Sequence, residues 1–181
     1  RGLGDVYKRQ GINIAGKNSS FCELTGLYWA WQNGIFKNNQ YVGLVHYRRY
    51  FAGKELYLKK RHIASESELL SLLEKYDAIL PKKRNYFIES IYSHYQHAHY
   101  VKDLNCTREI ISELHPEYIT SFDAIMQGRK IHIYNMFVMS SETASEYCQW
   151  LFPILFELEK RIDITPVSYT HLRAHETVLD I

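Results

Sequence analysis

The sequence predicts an α/β domain in which an open sheet is flanked by helices. Segments of helical periodicity alternate with short apolar runs, and this alternation is typical of the class. Two capping-box patterns, Ser20-x-x-Glu23 and Ser65-x-x-Glu68, each predict the start of a helix. The apolar run at 41–45 predicts a strand, and apolar runs this short are usually strands buried on both faces.

The first half of the chain contains two predicted helix–strand pairs. The first helix is predicted over 21–31 and ends before Gly34, and the strand over 41–45 follows it. The second helix is predicted over 66–76, and a strand over 77–81 closes on a proline. Residues 82–102 are polar and aromatic without a clear period. We therefore expect them to form a long loop, and such loops tend to be functional.

The second half is predicted to be mainly helical. Helices are expected over 107–114 and 117–127, separated by a proline and ended by Gly128. Residues 131–139 predict a strand or a strand pair. Ser141 is expected to cap a last helix over 142–161, and because Pro153 lies inside it, a kink or break is expected near Leu151-Phe152.

Composition limits the classes of function. The chain has 181 residues, which suits one domain with a real core, and a formal net charge of only +2. With no helix-turn-helix, zinc-finger or Walker pattern, it offers no argument for a nucleic-acid partner. No apolar stretch reaches transmembrane length. The three cysteines, Cys22, Cys106 and Cys148, lack metal-ligand spacing and predict reduced thiols in a cytoplasmic protein.

The two ends of the chain differ in character from the rest. Residues 1–10 and 167–181 resemble translated sequencing-adapter read-through, so we expect them to be non-native. The alternative is a native basic arm and a native C-terminal helix. The domain is accordingly predicted to occupy residues 11–166.

A polar cluster, His46-Tyr47-Arg48-Arg49, directly follows the predicted strand over 41–45. In open α/β sheets, ligands bind just beyond the carboxyl ends of strands. Two adjacent arginines there can grip phosphate in a bidentate way, while His46 or Tyr47 would hydrogen-bond the ligand. The alternative is that one arginine is solvated or pairs with a carboxylate, because side chains alternate along an extended segment.

Histidines dominate the predicted loop. His94, His97 and His99 could bind a transition metal, with the last two on one side of an extended segment. The alternative is a mobile loop that hydrogen-bonds phosphate or sugar hydroxyls, because no Cys or acid follows at a standard ligand spacing and Asp103 is the only nearby carboxylate. Asn135 lies in the apolar 131–139 segment and requires a buried partner or a ligand, unless it satisfies a turn or bulge.

Several blocks together resemble a bacterial domain-of-unknown-function family that is often assigned to capsular or exopolysaccharide glycosyltransferases. The Tyr-Trp-Ala-Trp block at 28–31 and the His-Tyr-Arg-Arg-Tyr block at 46–50 are the specific ones. The further matching segments are 18–27, 41–45, 79–83, 104–118, 135–139 and 146–152.

The resemblance implies a GT-A-like (Rossmann-like) fold, a nucleotide-diphospho-sugar donor and a glycan or lipid-linked glycan acceptor. It also implies a cytoplasmic location, at the inner face of the membrane if the protein associates with it peripherally. Other GT-A enzymes carry a metal-binding Asp-x-Asp where this chain has His46 to Arg49, and Asp-x-Asp is absent from the sequence. We therefore expect no metal cofactor, with cationic side chains neutralising the diphosphate instead.

Other site residues follow from the same resemblance. Asn135 and the histidines at 94, 97 and 99 would face the donor or acceptor sugar. The catalytic base is unassigned, with Asp77 and Glu89 as candidates. Compared with the family, the chain is expected to be truncated at both ends and inactive as a fragment. The alternatives are a non-catalytic carbohydrate- or phosphate-binding module and a metal-dependent enzyme that uses the three histidines.

Overall fold

The computed structural model describes residues 10–46, 49–58 and 60–162. The chain divides into two compact units. The first contains the residues up to Lys82 together with His132–Gln149, and the second contains Lys83–Ile131 and the residues from Trp150 onwards. Both units combine helices with small antiparallel sheets, and the α/β class is therefore confirmed.

The elements are numbered in chain order. The helices are α1 (Asn18–Phe21), α2 (Leu24–Gln32), α3 (Glu66–Leu73), α4 (Ile91–Ala98), α5 (Val101–Leu114), α6 (Ile119–Gln127) and α7 (Ser141–Arg161). The strands are β1 (Tyr41–Leu44), β2 (Ala52–Leu58), β3 (Arg61–Ile63), β4 (Ala78–Ile79), β5 (Arg84–Asn85), β6 (Lys130–Ile131) and β7 (Phe137–Ser140). Short 3₁₀ turns occupy Ala15–Lys17, Phe36–Asn38 and Pro116–Tyr118.

The predicted helix over 21–31 is two helices, and its predicted capping box is wrong. Ser20 lies inside α1, and Cys22 adopts a φ of 45° that separates α1 from α2. Glu23 precedes α2 without a side-chain cap. The predicted end of the helix is confirmed: Gly34 has a φ of 77°, and its N–H donates to the Trp31 carbonyl at 3.3 Å.

A three-stranded antiparallel sheet of order β1–β7–β4 forms the centre of the first unit. The central strand β7 is buried from Phe137 to Met139. Strand β1 is an edge strand, half-buried at Tyr41 and Val42 and exposed at Gly43. The strand itself is confirmed, but the expectation that it is buried on both faces is wrong, because none of its four residues is fully buried.

The second capping box is confirmed. The Ser65 hydroxyl accepts from the Glu68 N–H at 3.2 Å, and the Glu68 carboxylate accepts from the Ser65 N–H at 3.0 Å. Helix α3 begins there and follows the antiparallel pair β2–β3, which contains a register shift between Ala52 and Leu56.

The prediction of a long loop over 82–102 is wrong. This segment contains β5, helix α4 and the start of α5. The Ser90 hydroxyl accepts from the Ser93 N–H at 3.1 Å and so caps α4. Helix α4 has only eight residues and half of them are Ser, His or Gln, so its short apolar face does not stand out in the sequence. The core of the second unit is formed by Ile110, Ile111 and Ile154, against which Ile119 and Trp150 pack.

The last helix, α7, contributes residues to both units and is continuous through Pro153, so the predicted break is wrong. Its cap is also shifted by one residue: the Thr143 N–H donates to the Ser140 hydroxyl at 3.1 Å, while the Ser141 hydroxyl donates to the Asn39 carbonyl. Within residues 10–162 as far as the structure describes them, no helix is long and apolar enough to span a membrane.

Candidate functional site

A basic cleft of about 880 Å³ lies in the first unit. Its wall is formed by parts of β2, β3 and α3, together with segments near Arg49, Leu80 and Tyr134. The cationic lining residues are Arg49, Lys54, Arg61, Lys75 and Lys82, and the acidic ones are Glu55 and Glu68. The described lining therefore carries more positive than negative charge, and an anionic ligand would suit it.

Both acidic side chains of the cleft are held by hydrogen bonds inside the protein. Glu68 accepts from the backbone N–H groups of Ser65 at 3.0 Å and Lys54 at 2.8 Å. These backbone hydrogen bonds, that of Ser65 first, lower the pKa of Glu68. Glu55 accepts from the hydroxyls of Ser67, at 2.7 Å, and Ser65. The two carboxylates thus fix the wall of the cleft, and we expect the cations to dominate its field.

Arg49 is the member of the predicted polar cluster that lines the cleft. Its guanidinium carbon lies 4.0 Å from the ring centroid of Tyr134, and one guanidinium nitrogen lies 3.4 Å from Nδ1 of His46. The structure therefore brings Arg49 and His46 together, while their contacts with a ligand stay a prediction. Tyr47 and Arg48 lie outside the described residues.

Tyr134 is a cleft residue that the sequence did not predict, as are the cleft residues Lys54, Arg61 and Lys75. It lies in a turn before β7 with a φ of 82°, followed by Asn135 with a φ of 49°. Asn135 is thus in a turn and not inside an apolar strand. Its amide donates to the Glu23 carboxylate at 3.0 Å, which ties the turn to the start of α2. Asn135 therefore holds the backbone that presents Tyr134 to the guanidinium of Arg49.

The three histidines lie in the second unit, on and just after α4. The helix places His94 and His97 one turn apart, so the expected extended geometry of His97 and His99 is wrong. The Glu89 carboxylate accepts from Nδ1 of His94 at 2.7 Å and from Nδ1 of His97 at 3.1 Å. The ring of His99 instead packs 4.8 Å from that of Tyr95.

Glu89 is the carboxylate that pairs with His94 and His97. The hydrogen bond from His94, aided by that from His97, lowers the pKa of Glu89. Among the residues that the structure describes, no group of three or more His, Cys, Asp or Glu side chains is arranged to hold a metal ion.

Glu89→Gln is expected to lower the thermal midpoint of unfolding near neutral pH. The difference in midpoint between the variant and the parent chain should disappear in acid. Because the pKa of Glu89 is depressed in the folded state, its stabilisation is present above the pKa of the unfolded chain. It is lost as the pH falls through the lower pKa of the folded state. Thermal melts from about pH 7 to about pH 3 test this. Glu109→Gln, at an exposed position of α5, is the control, and an equal deficit at all pH values would contradict the prediction.

Two of the three cysteines, Cys106 and Cys148, are poor candidates for nucleophiles. Burial raises the pKa of the Cys148 thiol to about 12, and burial likewise raises the pKa of the Cys106 thiol. Both therefore stay protonated near neutral pH.

Comparison with known proteins identifies the family. The model of a domain of unknown function, DUF4422, matches residues 4–178. The chain belongs to this family. A solved structure of a similar protein, the bifunctional glycosyltransferase WbbM in its apo form, superposes on 91% of this chain with a TM-score of 0.77 and 28% sequence identity. The chain spans 32% of the length of that protein. None of the curated proteins matches the chain.

The DUF4422 domain thus has the GT-A-like α/β fold expected from the resemblance, and its relation to glycosyltransferases is confirmed. The role of the two sequence blocks as a family signature and the link to capsule synthesis stay predictions. The matched residues include parts of both terminal segments, 1–10 and 167–181. The non-native origin of those segments likewise stays a prediction.

Proposed function

We propose that this DUF4422 chain is a glycosyltransferase domain whose first unit binds a nucleotide-diphospho-sugar in the basic cleft. The observation that carries the proposal is the position of Arg49. It lines a cleft whose two carboxylates already accept hydrogen bonds from other groups of the protein. The similarity to a bifunctional glycosyltransferase supports the same reaction class. The acceptor would be a glycan or a lipid-linked glycan, in capsular or exopolysaccharide synthesis.

The cleft offers a means of stabilising the leaving group. Negative charge develops on the nucleoside diphosphate as the glycosidic bond breaks, and preorganised cations stabilise that charge. Arg49 can approach the diphosphate with a planar fork, while Arg61 and Lys82, from other segments of the lining, add positive charge. Tyr134 supports the guanidinium plane of Arg49 through its ring.

The remaining predicted site residues keep more limited roles in this proposal. Tyr47 and Arg48 would contact the same diphosphate, while His46 would orient Arg49 from 3.4 Å. Asn135 would act by holding the turn that bears Tyr134. Contacts of His94, His97 and His99 with donor or acceptor sugar stay predictions.

Arg49→Ala is expected to weaken binding of nucleoside diphosphates by about 10- to 100-fold, because a charge-assisted hydrogen bond to phosphate is lost. Calorimetric titration of the full chain with uridine, guanosine, adenosine and cytidine diphosphates measures the effect. Lys37→Ala is the control, because Lys37 is an exposed cation of the first unit outside the cleft lining. Equal affinity of Arg49→Ala and the parent chain, with unchanged thermal midpoints, would overturn the assignment of the cleft.

The binding-module alternative is tested by turnover. Sugar transfer or donor hydrolysis by the complete protein, reduced in Arg49→Ala, supports the enzyme. Diphosphate binding without turnover on any glycan or lipid-linked acceptor supports a non-catalytic module that uses the same cleft.

A further inference from the structure

A turn between β5 and α4 presents two large apolar side chains to solvent. Phe87 is 73% exposed and Ile88 is 92% exposed, the highest value for a large apolar residue in the described part of the chain. Both lie in the second unit, whereas the basic cleft belongs to the first. Adjacent apolar side chains this exposed mark a surface that contacts something outside the chain.

The backbone of this turn is held in an unfavourable conformation. Phe87 has a φ of 53°, a region that bulky side chains rarely adopt. Three hydrogen bonds fix it: the Phe87 N–H donates to the Asn85 side chain at 3.1 Å, the Ile88 N–H to the Tyr86 carbonyl at 2.6 Å, and the Arg129 guanidinium to the Phe87 carbonyl at 3.0 Å. The chain therefore holds the two side chains outward on a fixed turn.

The surroundings of the turn are basic. Residues 83–90 and 128–131 contain Lys83, Arg84, Arg129 and Lys130, with Glu89 as the acid in the same two segments. Pairing of β5 with β6, and a 2.9 Å hydrogen bond from the Tyr86 N–H to the Arg129 carbonyl, join the two segments next to the turn. Glu89 offsets one of these four positive charges, so the two segments keep a net formal charge of 4 − 1 = +3.

We propose that the Phe87–Ile88 turn docks on the surface of an anionic lipid bilayer. The two apolar side chains enter the boundary between headgroups and acyl chains, and the four cationic residues lie against the anionic headgroups. An anionic bilayer fits both halves of the surface, since it offers an apolar layer directly beneath a negatively charged one. The proposal stands independently of the cleft and gives the expected peripheral membrane association a specific location.

Binding of the full chain to lipid vesicles tests the proposal. One set of vesicles contains phosphatidylglycerol and phosphatidylcholine in about equal parts, and the other contains phosphatidylcholine alone. The chain is expected to co-sediment with the anionic set, less so as salt increases. Phe87→Asn and Ile88→Ser are each expected to lower the partition coefficient by about 10-fold. Asparagine tolerates positive φ, so Phe87→Asn keeps the turn.

Tyr76→Ser is the matched control, because Tyr76 is 63% exposed in the first unit. Its vesicle binding should equal that of the parent chain, and so should that of Arg49→Ala, which reports only on the cleft. Failure of the parent chain to bind anionic vesicles overturns the proposal. So does unchanged binding by folded Phe87→Asn and Ile88→Ser. Self-association that these two substitutions abolish, without vesicle binding, would assign the turn to a second copy of the chain instead.

Discussion

Gly53→Ala is expected to destabilise the first unit by at least about 1–3 kcal/mol and to weaken diphosphate binding in the adjacent cleft. A Cβ at residue 53 would lie 2.3 Å from the Cα of Ala64, 2.5 Å from its backbone nitrogen and 2.5 Å from the Glu68 carboxylate. Two of these three atoms belong to the backbone and cannot rotate away. Strand β2 passes this close to Ala64 only because residue 53 has no side chain.

The added Cβ would also displace the Glu68 carboxylate, which lines the cleft. This carboxylate holds the backbone N–H groups of Lys54 and Ser65, so displacing it disturbs both the capping box of α3 and the cleft wall. Urea unfolding together with diphosphate titration measures the two effects. Gly16→Ala is the matched control, since a Cβ there meets nothing within 4 Å. An unchanged urea midpoint for Gly53→Ala would contradict the observed approach of β2 to Ala64.

Ile110→Ala is expected to lower the free energy of unfolding by about 2–5 kcal/mol. Ile110 has no exposed surface and packs with Ile111 and Ile154 between α5 and α7. Removing three carbon atoms from this position loses their burial and leaves a cavity that the surrounding helices fill only in part.

Two further substitutions distinguish the cost of a buried cavity from the cost of shortening an isoleucine side chain anywhere on a helix. Ile110→Val removes one carbon atom and should cost about 0.5–1.5 kcal/mol. Ile125→Ala deletes the same atoms at a 47% exposed position of α6 in the same unit, and its urea midpoint should change little. Similar losses for Ile110→Ala and Ile125→Ala would contradict the assignment of Ile110 to the core.

The two capping-box patterns show how far local sequence determines structure. Ser65 and Glu68 form the box because their backbone and side-chain groups satisfy one another locally. The same pattern at Ser20 fails, because the Glu23 carboxylate instead accepts from Asn135, which is remote in sequence. In addition, the buried Thr25 hydroxyl donates to the Cys22 carbonyl at 2.8 Å, within the break between α1 and α2. The hydrogen bond from the remote Asn135 to the Glu23 carboxylate therefore replaces the local capping box that the sequence predicts.

Helix α4 is a helix that forms in the structure although the sequence predicts a loop there. It is only eight residues long and half of its residues are Ser, His or Gln, so its apolar face is too small to stand out in the sequence. The sequence also does not show that the Glu89 carboxylate accepts hydrogen bonds from both His94 and His97.

The sequence by itself determined the α/β class, the strands β1 and β4, the helix α3 with its cap, and the resemblance to a glycosyltransferase-related family. These follow from periodicity, turn residues and short motifs, all of which act over a few residues. Only the tertiary structure decided that Tyr134 lies under the guanidinium of Arg49 and that the cleft acids are engaged. Such contacts join residues far apart in the chain, and their geometry depends on strand pairing and turn conformation, which local sequence does not specify.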